Sequence, residues 1–491
     1  MNGESTLYGY LYQAIAAEIE AGRYRFGAPL PSQEALCRQY NVGITTVRRT
    51  LKMLEADGFI ATAPRKRATV LYQADERSYA AAVLQYKTAV LARFQSFEPV
   101  LAPLQALGAA RLSNLDALKA LVDSFKTELE PERFFERVSL FFTELLAPYR
   151  NRLLIDLQVD VSRHAHVPYP PCFAAQSTGR LSPEQAGEAF TALLDALCAK
   201  DYPGVARMLR ALYLGFMAWT ERFFDALEQR YPDLSVTPLP AEPGEKAHHP
   251  LYTAVARRLF RRIQAGEFDG RRYIPSLPEL MSEYGISQAT ALSAVALLSD
   301  IGVVRMHRKR GTSLAPPGSP NAPLRLSRES ILEHLILFLS ALQILACSAG
   351  RLSERIMSGL CEAERKEAAA RLQSCSARGS APIIRTLLEL FREHAPHDCL
   401  ARYLTELDDL LIWGYYLSRA KPDAWADAGR LAAERFAPLP GTLVRGEIAA
   451  FSEGVRELFV LIYRTAHDKL VAFGADPDRL PAPLDAAGCL A

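Results

Sequence analysis

No two cysteines in this chain are spaced as C-x-x-C, although eight are present, at 37, 172, 198, 347, 361, 375, 399 and 489. Scattered thiols supply neither a zinc ligand set nor a redox motif. Several fall at helical core spacing, and together they read as reduced, buried thiols of a cytoplasmic protein. A Gly-rich phosphate loop, a G-x-S-x-G elbow and an H-E-x-x-H helix are missing too. No catalytic constellation is left, so neither enzymatic activity nor a cofactor is expected. There is no uninterrupted run of 18 apolar residues, which indicates no membrane span. Residues 1–6 lack the basic head and apolar core of a signal peptide. Charge of one sign is lacking as well: 57 Lys and Arg face 55 Asp and Glu, for a net charge of +2. What remains is 491 residues, 49% hydrophobic and 23% charged, an ordinary globular composition with room for three or four domains.

The informative stretch is Leu30–Ile60, which predicts two helices joined by a tight turn. Ser32 follows Pro31 and is placed as an N-cap for the first helix, which runs through Leu36 to Tyr40. Asn41, Val42 and Gly43 form the break, since Asn and Gly tolerate a left-handed backbone. The second helix spans about 44–57. Val47, Leu51 and Leu54 lie at i, i+4 and i+7 on its apolar face. Thr45, Thr46, Arg48, Arg49 and Lys52 are left on the other faces, and Gly58 stops the helix. Two short strands, 59–62 and 69–72, follow around a basic tip at Arg65, Lys66 and Arg67. This is a winged helix-turn-helix pattern. Its second helix enters the major groove, and its wing reaches phosphates or the minor groove.

The pattern recurs at a constant offset of 244 residues. Leu7, Tyr8, Ile19, Gly22, Pro31, Ser32, Tyr40 and Gly58 become Leu251, Tyr252, Ile263, Gly266, Pro275, Ser276, Tyr284 and Gly302. The offset is close to half the chain, so a whole two-part unit is duplicated. Residues 1–74 carry 9 Lys and Arg against 6 Asp and Glu, and residues 251–314 carry 10 against 5, which leaves −6 for everything else. Positive charge therefore gathers on the two candidate DNA-binding units.

Both copies resemble the DNA-binding domain of GntR-family bacterial transcription regulators over about 70 residues each. The family pattern runs roughly L-P-S-E-R-E-L-A, G-V-S-R-T-T-V-R-E-A-L, E-x-x-G-L-[IV] and a G-x-G-T wing. Copy one keeps Leu30, Pro31, Ser32, Leu36, Val42, Thr45, Thr46, Val47, Arg48, Leu51, Gly58 and Thr69. Copy two keeps Pro275, Ser276, Glu279, Leu280, Gly285, Ser287, Thr290, Leu298, Gly302, Gly311 and Thr312. Two arginines that often touch DNA in the family are replaced by Glu34 and Ile44 in copy one and by Pro278 and Gln288 in copy two. A third survives as Arg48 and becomes Leu292 in copy two. Base reading through Arg–guanine pairs is thus weakened, most of all in copy two. The basic wings remain, so phosphate affinity can outlast sequence specificity.

The resemblance implies double-stranded DNA as partner. It assigns DNA contacts to Ser32, Thr45, Thr46, Arg48, Arg49, Lys52, Arg65, Lys66 and Arg67 in copy one. In copy two it assigns them to Ser276, Ser287, Gln288, Thr290, Arg308, Lys309, Arg310, Gly311 and Thr312. Arg257, Arg258, Arg261 and Arg262 flank the first helix of copy two, as a solvated face or as phosphate contacts. The resemblance also allows a small-molecule effector in a helical domain and a homodimer, with no membrane partner.

The rest of the chain reads as helical, giving a mainly α fold class. Two winged helix-turn-helix domains (1–74 and 251–315) are each followed by an all-α bundle (75–236 and 324–480), with a Pro-rich linker at 237–250. Helices are predicted near 76–107, 113–127, 131–148, 150–164, 183–199 and 203–230. Phe134, Phe135, Val138, Phe141 and Phe142 form an aromatic stripe, read as core with a ligand-pocket lining as the alternative. One helical GntR subgroup holds a metal with an Asp and three His, starting from Asp-x-x-x-His. Asp160 and His164 match that start with His166 nearby, but no further His occurs before His248. They are weak metal candidates, and surface histidines are the favoured reading. The expected protein is a cytoplasmic regulator. Its rival is an interaction or scaffolding protein whose winged units have lost specific DNA binding.

Overall fold

A computed structural model describes residues 7–40, 42–64, 66–73, 75–125, 131–165, 183–238, 251–308, 310–315, 329–376, 380–414, 417 and 422–485. Mainly helical, the chain divides into two compact units. One comprises residues 1–98, 114–144 and 158–246; the other comprises 99–113, 145–157 and 247–491.

The first unit opens with α1 (Leu7–Glu20), α2 (Gln33–Tyr40) and α3 (Ile44–Ala56). Strands β1 (Ile60–Ala61) and β2 (Thr69–Val70) then pair antiparallel, Ile60 opposite Val70. Pro29 bridges to Thr69, tying the approach to α2 onto the wing. The expected two-helix-and-wing order is present, with strands shorter than the sequence pattern. Leu11, Ile15 and Ile19 of α1 meet Leu36 of α2 and Val47, Leu51 and Leu54 of α3 in one core. Each such buried aliphatic side chain contributes roughly 1.5–3 kcal/mol. Gly58, at φ 79°, turns the chain out of α3 in a conformation that a Cβ would strain.

The helical part of this unit contains α4 (Glu76–Leu84) and the start of α5 (Lys87–Ala109). The sequence predicts one helix here; the chain breaks it at residues 85 and 86. Next come α6 (Asp116–Phe125), α7 (Pro131–Glu144), α8 (Arg152–Ala165), α9 (Pro183–Cys198) and α10 (Tyr202–Arg230). The aromatic stripe of α7 is core: Phe141 is fully buried and its ring lies 4.9 Å from that of Phe190. The linker expected at 237–250 falls outside the described residues from position 239 on.

The second unit repeats the winged order with α11 (Leu251–Gln264), α12 (Leu277–Tyr284), α13 (Gln288–Asp300), β3 (Val304–His307) and β4 (Gly311–Leu314). Its bundle consists of α14 (Glu329–Ser358), α15 (Glu362–Ser376), α16 (Ser380–Glu393), α17 (Asp398–Leu410), α18 (Pro422–Phe436), α19 (Leu439–Val444) and α20 (Ile448–Ala472). The long helices α14 and α20 pack on each other, and Gly350 sits where an added Cβ would come within 3.0 Å of the Arg456 Cβ. Residues 331–358 are long and apolar enough to cross a membrane, holding an 18-residue window of mean hydropathy 1.9, but 78% of that window is buried within the protein. A core helix of a large bundle has this composition for the same reason as a spanning one, because both are surrounded by apolar groups. Segment 145–157 enters this unit's core: Asn151 Nδ2 donates to Ser340 O at 3.0 Å and to Gln343 Oε1 at 2.9 Å.

Candidate nucleic-acid interface

Helix α3 hangs from its apolar face. Val47, Thr50, Leu51 and Leu54 are buried, and the Thr50 hydroxyl donates to Tyr8 O at 3.1 Å, which orients the helix against α1. Burying that face leaves Thr45, Arg48, Arg49 and Lys52 exposed and Thr46 half-buried. The structure thus brings the five predicted recognition-helix residues of copy one onto one surface.

Two arginines there are held in place. Arg48 Nε donates to Gln33 Oε1 at 3.2 Å, linking the recognition helix to the start of α2. The Arg49 guanidinium stacks 3.7 Å from the centre of the Tyr8 ring, a cation–π contact that keeps its charge available. Neither Gln33 nor Tyr8 stands out from the sequence as a functional residue. The recurrence of Tyr8 as Tyr252 was the available signal for the latter. Ser32 caps α2, its Oγ accepting from Ala35 N–H at 3.1 Å. A capping serine keeps its own hydroxyl proton for a phosphate oxygen.

The wing is anchored from α3. Glu55 Oε1 accepts from both the backbone N–H and the hydroxyl of Thr62, at 2.8 and 2.5 Å, and these two bonds hold its carboxyl below the usual range. Lys66 and Arg67 are exposed at the wing tip, and Arg65 lies outside the described residues. At the other edge of α3, the Tyr12 hydroxyl donates to Asp57 Oδ2 at 2.6 Å. Burial and that bond push the phenol up to about 12, so it stays a neutral donor.

The second copy has the same frame and a different surface. The α13 helix carries a single charged residue, Asp300, whereas α3 carries Arg48, Arg49, Lys52 and Glu55. Leu292, at the place of Arg48, is 43% exposed. Ser287 caps α13, accepting from Thr290 N–H at 3.2 Å, and its hydroxyl also pairs with that of Thr290 at 2.9 Å. The Ser276 hydroxyl and backbone N–H both donate to Glu279 Oε2 at 2.7 Å, which lowers that carboxyl's pKa and completes a capping box at the start of α12. These hydroxyls bond within the protein, and Glu279 places negative charge where copy one has Ala35. Gln288 is exposed, as are Arg308 and Arg310 on the wing; Lys309 lies outside the described residues. Gly311, at φ 97°, lets the wing turn over the Tyr273 ring, and Thr312 O accepts from Ile274 N–H at 2.9 Å. Thr312 therefore builds the wing through its backbone.

The arginines flanking the first helix of copy two are not one solvated or phosphate-facing stripe. Arg257 is 6% exposed and donates to Asp408 Oδ1 at 2.7 Å, and Arg261 also pairs with Asp408. Arg262 pairs with Glu267 at 2.6 Å and with Glu283 at 2.7 Å. Only Arg258 of the four is exposed. Packing of α11 on α17 decides this, and a helical wheel of α11 alone does not contain it.

Asp160 and His164 share α8 four residues apart, and His166 lies outside the described residues. Among the described residues no group of three or more His, Cys, Asp or Glu side chains is placed to hold a metal ion.

The family model described as bacterial regulatory proteins, gntR family, matches residues 7–70 and 251–314. Among curated proteins, the HTH-type transcriptional regulator TreR of Bacillus subtilis is 39% identical over 61 residues, 12% of this chain and 26% of that protein. The probable fructoselysine utilization operon transcriptional repressor of Escherichia coli K12 is 37% identical over 54 residues, 11% of this chain and 22% of that protein. The chain thus spans about a quarter or less of the length of the curated relatives it matches. Among solved structures, Streptococcus agalactiae GntR aligns with 44% of this chain and 100% of its own, at 14% identity and a TM-score of 0.20.

Proposed function

We propose that this chain, whose residues 7–70 and 251–314 match the gntR family model, is a DNA-binding regulator with a division of labour between its two winged units. The first reads sequence, through Thr45, Thr46, Arg48 and Arg49. The second holds the DNA backbone through Arg308, Lys309, Arg310 and the Gly311–Thr312 turn. The observation that carries this is the contrast between the two recognition helices. A helix that enters a polyanionic groove needs cations or donors on its exposed face. The α3 face offers three cations, and that of α13 offers Gln288, Leu292 and Ser293. The operator is accordingly asymmetric, and a chain with two winged units can span both half-sites. On this reading a small molecule held in a helical domain controls the cytoplasmic regulator.

A second reading has the α13 face serving as a protein-docking surface, with no DNA role for copy two. The exposed Leu292 and the absence of cations on α13 favour it for that copy alone.

Selection of bound sequences from a random duplex pool, followed by salt titration of the winner, separates the readings. The proposal expects an enriched asymmetric motif. It also expects Arg48→Ala to relax one position at a cost of roughly 1–3 kcal/mol. A perfect palindrome bound by one chain would overturn the division of labour. Absence of any motif would leave wing–phosphate binding as the whole activity.

A further inference from the structure

Gln33 and Arg48 meet across the seam between α2 and α3. Leu36 of α2 shares one core with Val47 and Leu51 of α3, which fixes the two helices against each other. Gln33 lies one turn before Leu36, and Arg48 lies one turn before Leu51. Both stand at the seam, and both are exposed. There Arg48 Nε donates to Gln33 Oε1 at 3.2 Å. An arginine has donors only, so its partner must be the carboxamide oxygen, and this settles which way the amide faces. Among the described residues Arg48 has no other hydrogen bond and no ion pair.

The internal repeat supplies a second observation. At the constant offset of 244 residues Gln33 becomes Leu277 and Arg48 becomes Leu292. The positions are the same within their helices. Gln33 and Leu277 open α2 and α12, and Arg48 and Leu292 are the fifth residues of α3 and α13. The acceptor is thus present where the arginine is present and gone where the arginine is gone. Its neighbours are kept in both copies, as Pro31 and Pro275 and as Ser32 and Ser276. Both α2 and α12 are 8 residues long, so the helix starts and ends as well with leucine in this place. Helix formation does not require the glutamine; the arginine opposite it is what distinguishes the two copies.

We propose that Gln33 is a positioning residue for base reading by Arg48, and that the base read is a guanine. A free arginine side chain explores many rotamers and loses that freedom when it binds. A bond at Nε restrains the guanidinium before DNA arrives, and such preorganisation adds to affinity. The bond occupies Nε alone. Both Nη groups remain, and they match the O6 and N7 acceptors on the major-groove edge of guanine. A neutral acceptor suits this role. A carboxylate in its place would pair with the guanidinium as an ion and would stand against the phosphates. The proposal rests on reading the first winged unit as the one that reads sequence.

The test uses the full chain and the duplex selected by it. The base pair read by Arg48 is the one whose preference Arg48→Ala abolishes. Fluorescence anisotropy then gives affinities for that duplex and for duplexes changed only at that pair. Gln33→Ala should reduce the preference for G·C there about tenfold and leave affinity for the changed duplexes within about twofold. In the Arg48→Ala background it should cost nothing further, because the two residues act as one. Gln33→Glu keeps an acceptor at the same reach, so it should retain the preference while weakening all duplexes alike. A Gln33→Ala loss shared by every duplex, an effect additive with that of Arg48→Ala, or a preferred pair other than G·C overturns the proposal and leaves the first unit as the reader. If Arg48→Ala relaxes no position, the sequence-reading role of the first unit fails, and the proposal fails with it.

Discussion

Glu18 of the first winged unit and Arg262 of the second occupy the same repeat position, 244 residues apart, with opposite charge. Glu18 accepts from Arg23 at 3.1 Å and from the Tyr40 hydroxyl at 2.9 Å. Arg262 donates to Glu267 at 2.6 Å and to the Tyr284 hydroxyl at 2.9 Å. The pair joining α1 to the turn after it has been kept with its charges exchanged. Glu18→Arg alone sets two cations together at a buried position and should cost about 3–5 kcal/mol. Glu18→Arg with Arg23→Glu should recover most of the loss. A double-mutant cycle by urea unfolding measures the coupling; additive costs would mean that the two positions do not interact.

The wings should contribute affinity without specificity. Lys66→Ala and Arg67→Ala, both at exposed positions, should weaken all duplexes about equally. Each should also lower the slope of log K against log salt by about 1. Fluorescence anisotropy across a salt series, on selected and scrambled duplexes, is the measurement.

Leu292 is exposed where copy one has Arg48, so its replacement should cost little stability, within about 0.5 kcal/mol. Leu292→Arg with Ser293→Arg should make α13 cationic and strengthen duplex binding severalfold at low salt. Unchanged affinity would mean that α13 does not approach DNA.

Gly108 lies against the chain at Leu145, where an added Cβ would fall 2.0 Å from the carbonyl oxygen. Backbone cannot yield as a side chain tip does. Gly108→Ala should destabilise the second unit by about 1–3 kcal/mol, although alanine favours a helix more than glycine. Thermal unfolding of the variant against wild type decides it.

Asp409 makes stability depend on pH. Burial raises it from 3.8 to about 7, so the folded chain holds its proton more tightly than the unfolded chain. That contribution is complete below about pH 4 and is lost as pH rises to about 7. Its size is on the order of 1–4 kcal/mol. Asp409→Asn should gain stability relative to wild type as pH rises from 5 to 8. Parallel unfolding curves at each pH would count against it.

Much of the winged architecture is visible in the residues themselves. Val47, Leu51 and Leu54 mark one face of α3, and the shared Pro31/Pro275 and Gly58/Gly302 positions mark the boundaries. Such local signals survive because periodicity and turn chemistry act within a few residues. Long helices were harder to bound. The break at residues 85 and 86 interrupts an apolar pattern that continues on both sides, and nothing local announces it.

The sequence by itself determined that the winged pattern occurs twice, 244 residues apart, and that cations favour the second signature helix of the first copy. These follow from short-range spacing and from composition. Tertiary structure alone decided which cations are available to a ligand. Arg257 and Arg261 read as surface residues of an amphipathic helix until α17 brings Asp408 against them. Arg48 and Arg49 likewise acquire their directions from Gln33 and Tyr8 on other helices. A charge is free or paired according to neighbours tens or hundreds of residues away, and only packing chooses those neighbours. A cavity beside Arg257 arises in the same way, from five bundle helices and one winged-domain helix that no local pattern connects.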